Sequence, residues 1–252
     1  MKVHYIDHMG SDLSIVNAAR VSFGKRSKQL TEKDKGLIRF LARGCTKGDW
    51  DKLIEDKLMW NWLDEMDAPD EEELHRTLQH IKNMPTHWTP FGHTAITLHI
   101  KAPIFVARQL GKHQVGMVWN EVSRRYVTED PEVYVPEIWR QAADNVKQGS
   151  SDEPVADTDK WTAHYQLACD RAVEEYEHMI HEGICPEQAR MVLPQSLFTE
   201  WYWTGNLYSF ANVYIQRSDS HAQKEVQQIA EQIDYLLMPL FPVSWPALTR
   251  GA

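Results

Sequence analysis

The spacing of apolar and polar residues divides the chain into recognisable elements. The opening run Met1-Lys2-Val3-His4-Tyr5-Ile6-Asp7 reads as a short strand. A short helix is expected over 13–20, capped by Ser11 or Asp12. A second helix begins at Thr31, where Thr31-Glu32-Lys33-Asp34 matches a capping box with aspartate in place of glutamate. Leu37, Ile38 and Leu41 form its apolar stripe, and Gly44 stops it. Residues 47–83 are charged and helical in flavour, anchored by Trp60, Trp62 and Leu63, with an acidic break over 67–73. This reads as a helical insertion, 49–84, on a core fold.

At Thr94 the period changes. Ile96, Leu98, Ile100 and Ala102 alternate with Ala95, Thr97, His99 and Lys101, the pattern of a half-buried strand. Pro103 suits a helix start, and a helix is predicted over 104–113. Residues 141–160 are polar and punctuated by glycine and serine, hence a loop. A helix follows over 161–181, with Tyr165, Ala168, Ala172, Tyr176 and Met179 on one side. Residues 197–204 read as a strand broken at Gly205, and Asn206 caps a helix striped by Leu207, Phe210, Ala211 and Tyr214. Ser218-Asp219-Ser220 reads as a further cap, before a helix striped by Val226, Ile229, Ala230, Ile233, Leu236 and Leu237 that ends at Pro239 and Pro242. These elements predict one α/β (α+β) domain without the regular rhythm of a doubly wound sheet.

Composition narrows the class. The 252 residues are 42% hydrophobic and 25% charged, as in an ordinary globular chain. No apolar run approaches the roughly 20 residues a membrane helix needs, and the first residues lack the apolar stretch of a signal peptide. Twenty-seven basic against thirty-six acidic side chains give −9, which disfavours broad binding to nucleic acid. Cys45, Cys169 and Cys185 are odd in number and irregularly spaced. A disulfide framework is not expected, and a cytoplasmic setting is.

Four polar clusters are candidates for chemistry: His87 to His93; Arg108 to Gln114 with Asn120 to Tyr126; Arg190; and Asn206, Asn212, Arg217 and His221. Arg108, Lys112, Arg124 and Arg125 concentrate positive charge in an acidic chain, and arginine's fork suits a phosphate. Tyr208 and Asn212, four apart, share a helix face. Arg217 and His221 straddle a helix junction whose free N–H groups would favour an anion. His178, His181 and Glu182 lie on the polar face of their helix, and no metal site is expected there. No GxGxxG or P-loop motif is present. The residues by themselves point to a phosphorylated ligand and no further.

At these clusters the chain resembles the flavin-dependent thymidylate synthases. The resemblance rests on Ala18-Ala19-Arg20-Val21-Ser22-Phe23, the 87–93 segment, the run 100–109, Asn120-Glu121-Val122-Ser123 with Arg125-Tyr126, and 190–223 with Arg217-Ser218-Asp219-Ser220-His221-Ala222-Gln223. It implies a single domain with a central, mainly antiparallel sheet flanked by helices, assembled as a homotetramer. It also implies methylation of dUMP to dTMP, with methylenetetrahydrofolate as one-carbon donor, FAD as cofactor and NADPH as reductant. Arg217 would polarise the pyrimidine. Gln109, Lys112, Glu121, Val122 (backbone), Ser123, Arg124, Arg125 and Arg190 would hold dUMP. His87, Thr89, Lys112, His113, Gln114, Asn120, Asn206, Tyr208, Asn212 and His221 would line the FAD site.

The chain departs from the family pattern at definite places. Lys112-His113-Gln114 stands where the family has Arg-His-Arg, so both planar forks and one charge are lost. One extra residue lies between His113 and Asn120, with Met117 or Trp119 in place of a serine, which predicts a local bulge rather than a clean helix. Gly92 replaces a usual glutamate and Tyr208 a common arginine. Two other outcomes suit the same residues: hydroxymethylation of a pyrimidine nucleotide, or nucleotide binding without catalysis.

Overall fold

The computed structural model describes residues 1–45, 72, 75–76, 86–126, 130–143 and 150–251. The helical insertion expected over 49–84, with Trp60, Trp62 and Leu63, lies outside them except at residues 72, 75 and 76. Among the described residues six strands occur: β1 (Lys2–Met9), β2 (Ala95–Pro103), β3 (Met117–Glu121), β4 (Arg140–Ala142), β5 (Ser150–Pro154) and β6 (Phe198–Gly205). The helices are α1 (Asp12–Arg20), α2 (Glu32–Ala42), α3 (Ile104–Leu110), α4 (Thr158–His181), α5 (Pro186–Ala189), α6 (Leu207–Ser218), α7 (Lys224–Leu237) and α8 (Ser244–Thr249).

Four strands form one antiparallel sheet in the order β1-β2-β6-β3. The period-two pattern read in β2 decides its faces: Ile96, Leu98, Ile100 and Ala102 are fully buried. On β6 the same alternation buries Thr199, Trp201 and Trp203 and leaves Tyr202 half exposed. Helices cover the inner face, contributing Ile15, Val16, Ile38, Leu207, Phe210, Ile229, Ile233 and Trp245 to one core. Each large apolar side chain buried there contributes about 1.5–3 kcal/mol. The opposite face, carrying Thr97, His99, Lys101, Asn120 and Tyr202, has no helical cover among the described residues.

The expected caps form. Ser11 accepts from the Ser14 amide, and Thr31 and Asp34 close a capping box on α2. Asp12 takes a longer-range role. Its carboxylate accepts from the amides of Val243 and Ser244, both at 2.9 Å, and so caps α8. Asp34 accepts from Arg20 (Nε 3.0 Å, Nη2 2.6 Å), Ser27 Oγ (2.9 Å) and Thr31 N and Oγ1 (3.0 and 2.6 Å). This knot ties α1 to α2.

Several expectations are corrected. The helix predicted over 104–113 ends at Leu110, because the chain must turn at Gly111 to bring 111–116 toward α6. No helix or bulge lies between His113 and Asn120. The chain turns at Gly116 (φ 72°) and enters β3. The loop expected over 141–160 contains the antiparallel pair β4–β5, and α4 already begins at Thr158. Ser218-Asp219-Ser220 does not cap the next helix. That helix begins at Lys224 without a side-chain cap, since Asp219 turns back onto His221.

Candidate active site

Arg217 stands in the last turn of α6, whose buried stripe of Leu207, Phe210, Ala211 and Val213 holds the helix on the sheet. From there its guanidinium crosses to α3 and the following loop. Nε donates to His113 Nε2 at 2.9 Å, and Nη2 donates to the Gln109 carbonyl at 3.0 Å. Gln109 lies in the final turn of α3, where carbonyls lack helical partners, so the arginine satisfies a group that the helix leaves open. The Gln109 side chain donates in turn to Gln223 Oε1 at 2.7 Å. Burial first, and the Arg217 charge second, push the His113 pKa down to about 4. His113 is therefore neutral near pH 7, with Nε2 as acceptor and the proton on Nδ1. Burial also lowers the pKa of Arg217, which remains a cation.

Gln109, Lys112, His113, Gln114 and Glu121 line one cavity of about 770 Å³, with Arg108, Trp119 and Trp203 also in its wall. Glu121 reaches it because β3 presents Met117, Trp119 and Glu121 on the helix side. Asn120 and Val118 point the other way. Of the four clustered cations, Arg108 and Lys112 share this cavity, whereas Arg124 lines another, of about 450 Å³, with Asn120, Val122, His99 and Lys101. The positive cluster expected from sequence is thus divided, with Arg108 and Lys112 in one place, Arg124 in a second and Arg125 beside Glu187 in a third.

The 111–116 loop is bound to the start of α6. Ser209 Oγ donates to the Val115 carbonyl at 2.9 Å, and Gly116 packs so closely that a Cβ there would lie 2.5 Å from Ser209 Oγ and 3.0 Å from Asn206 Nδ2. Asn206 itself caps α6, accepting from the Ser209 amide at 2.9 Å. The turn 86–94 joins the same place: the Leu207 amide donates to Thr94 Oγ1 at 2.9 Å, and Trp88 stacks on Tyr208 with ring centres 5.6 Å apart. A Cβ on Gly92 would come within 3.3 Å of the Trp88 ring. The segments bearing Thr89, His113, Gln114, Asn206, Tyr208 and Asn212 therefore converge, with Asn212 Nδ2 bound to the Tyr208 carbonyl at 3.0 Å. His87 stands at their edge against Phe40.

A third group gathers around Glu187. Arg125 lies 3.8 Å from its carboxylate, and Arg190 donates from Nε to its carbonyl at 3.3 Å. Ser123 Oγ accepts from Arg125 Nε at 3.4 Å. Ser123, Arg125 and Arg190 are therefore neighbours, although they lie far apart in sequence. The Val122 amide donates to the Glu200 carbonyl at 2.9 Å. His221 is exposed and lies against Asp219 (Nδ1 to Oδ1, 2.9 Å), with no hydrogen bond to the Arg217–His113 pair. The anion pocket expected at that junction is replaced by this local turn.

Sequence reasoning missed Thr199, Gln223 and Trp88 as site components, and read Trp119 only as a replacement. Thr199 donates to Glu121 Oε1 at 2.6 Å and Trp119 Nε1 to Oε2 at 3.1 Å. The alternation in both strands could have placed Trp119 beside Glu121, but the register that brings Thr199 there is a tertiary fact. Among the described residues no group of three His, Cys, Asp or Glu side chains could hold a metal, and no helix is long and apolar enough to cross a membrane. Cys45 and Cys169 are buried and Cys185 is exposed, all three unbridged.

Comparison with known proteins identifies the family. The family model described as thymidylate synthase complementing protein, Thy1, matches residues 4–243. A flavin-dependent thymidylate synthase of Thermosipho africanus is 33% identical over 250 residues, covering 98% of this chain and 90% of the relative. One of Thermus thermophilus is 32% identical over 245 residues, covering 97% and 74%. A crystal structure of the UMP/dUMP methylase PolB from Streptomyces cacaoi bound with 5-Br dUMP superposes with a TM-score of 0.74 at 27% identity, covering 99% of this chain and 95% of that one. With the family model spanning nearly the whole chain and relatives above 30% identity matched along most of their own length, the protein belongs to the flavin-dependent thymidylate synthase family.

Proposed function

We propose that the protein methylates dUMP to dTMP, using methylenetetrahydrofolate as one-carbon donor, FAD as cofactor and NADPH as reductant, in the cytoplasm. The observation that carries this reading is the half-buried Arg217, whose guanidinium is held by His113 and the Gln109 carbonyl, both residues of the lining of the 770 Å³ cavity. Two of its five donors are engaged, leaving others for the oxygen of a pyrimidine ring. A preorganised cation there stabilises negative charge as it develops on the ring, without reorganising water.

The nucleotide's phosphate would bind Ser123, Arg125 and Arg190. Gln109, Lys112, Glu121, Arg124 and the Val122 backbone complete its set. The donor chemistry around α6 fits a flavin: amide, hydroxyl and imidazole groups of Asn206, Asn212, Thr89, His87 and His113 beside the stacked Trp88–Tyr208 pair suit a planar heteroaromatic ring. Lys112 supplies charge for its diphosphate, and Gln114, Asn120 and His221 complete the expected set. Bound flavin would supply the hydride. Neutral His113 keeps Arg217 oriented and offers its Nδ1–H.

The homotetramer that the family resemblance implies suits one feature of this strand. Asn120 and Glu121 point to opposite faces of β3, so flavin and nucleotide contacts assigned to both cannot meet in one cavity of one chain. A second copy against the uncovered sheet face would complete the site. The test is anaerobic incubation of FAD-loaded protein with dUMP, methylenetetrahydrofolate and NADPH, followed by the mass of the nucleotide. A gain of one methylene unit is expected. A hydroxymethyl product would replace methylation by hydroxymethylation, and an unchanged nucleotide with flavin bound would leave a non-catalytic binding protein.

A further inference from the structure

Glu121 sits at the exposed end of a strand, where a carboxylate with free torsions would ordinarily sample several rotamers. Here both oxygens are held. Trp119 Nε1 donates to Oε2 at 3.1 Å, and Thr199 Oγ1 donates to Oε1 at 2.6 Å. Neither donor is itself free to turn. The Trp119 indole lies flat on Trp201, 4.3 Å between centres and 17° between planes, with its edge set against Trp203 at 5.6 Å. Thr199 is 5% exposed on the inner face of β6. The arrangement follows from strand geometry. Trp119 and Glu121 are two apart and share a face, while the β3–β6 register pairs Glu121 with Trp201 and sets Thr199 two residues beyond.

We propose that Trp119 and Thr199 are positioning residues that aim the Glu121 carboxylate into the cavity, where its remaining lone pairs accept from an N–H or O–H of the pyrimidine nucleotide. The proposal rests on the reading of this cavity as the nucleotide site. A carboxylate has about four acceptor sites. Two are occupied by rigid donors, which leaves the others fixed in direction before the ligand arrives. Preorganisation of this kind raises affinity by removing the cost of ordering the acceptor on binding. The acid is also useful beside Arg108 and Lys112, because it sets one point in a basic cavity that takes a donor rather than a phosphate.

The test is calorimetric titration of dUMP into FAD-loaded protein, with kcat and KM measured alongside. W119F keeps the stacked ring and loses the N–H. T199V keeps the shape and loses the O–H, and T199S restores it. Each loss is expected to raise the dUMP Kd about tenfold, the scale of one hydrogen bond to a charged group. KM should rise while kcat changes little, and Tm should stay within a few degrees; T199S should recover most of the affinity. In an E121A background W119F should have little further effect, as coupled residues require. Unchanged affinity in W119F and T199V, or equal losses with and without E121A, would overturn the positioning role alone. Failure of the unaltered protein to bind dUMP would instead remove the reading of the cavity, and this proposal with it.

Discussion

Arg217 donates its Nε–H to Nε2 of His113, 104 positions away in sequence, at 2.9 Å. The pairing requires a neutral imidazole, because protonated His113 would set donor against donor. The sequence neighbours of either residue do not announce the other, yet the pair fixes the guanidinium on which the proposed chemistry depends.

Removing that guanidinium tests its role. Arg217→Ala should lower kcat by about 10²–10³-fold or more, the scale of losing a preorganised electrostatic donor. The protein should stay folded, with about 1–3 kcal/mol lost for the two hydrogen bonds. Arg217→Lys keeps charge without the fork and should recover only part of the rate. Steady-state kinetics beside thermal melts check both; wild-type turnover in Arg217→Ala would remove this residue from the mechanism.

The depressed pKa of His113 makes stability depend on pH. Between its native value of about 4 and the ordinary 6.5, the unfolded chain holds a proton that the folded one lacks. Stability therefore rises with pH across that window and falls as pH drops from 6.5 toward 4. Allowing for partial exposure of the ring, the contribution is on the order of 2 kcal/mol. Melting curves of the wild type and His113→Asn should diverge in slope there and run parallel above about pH 7.

Asp34 acts in the same sense at lower pH. The Thr31 hydroxyl foremost, with Arg20, Ser27 and the Thr31 amide, holds its pKa far below the usual carboxylate range against the opposing effect of burial. Its stabilisation is complete above the ordinary value of 3.8 and is lost as pH falls from there toward the native pKa. Asp34→Asn should cost about 3 kcal/mol near neutrality by leaving Arg20 without its counter-charge. Chemical denaturation of the variant at neutral pH reads this directly.

Gly116 is required twice over. Its φ of 72° is strained for any L side chain, and an added Cβ would meet Ser209 Oγ at 2.5 Å. Gly116→Ala should cost about 1–3 kcal/mol and pull the 111–116 loop from α6. Flavin affinity should fall with it, measured by fluorescence titration, since His113 and Gln114 ride on that loop. Gly24, also at positive φ (62°) but with open space around it, should lose stability on substitution by alanine without any change in flavin affinity.

Elements whose signals are local are legible along the chain. The alternation in β2, the Ser11 and Thr31 caps, the Asn206 cap and the stripes of α6 and α7 are read from neighbours within a turn or two, and the structure bears them out. The resemblance supplied the family, which the comparisons show. Three local features depend on the packed fold instead: α3 stops at Leu110, the polar stretch after Arg140 pairs as strands, and Asp219 turns onto His221 instead of capping α7. The packed fold alone joined Arg217 to His113, Thr199 to Glu121, and Arg125 to Arg190 through Glu187. The physical reason is common to all of these. Backbone propensity and periodicity act over a few residues, whereas a side-chain donor takes whichever acceptor the packed core carries to it, from any distance along the chain.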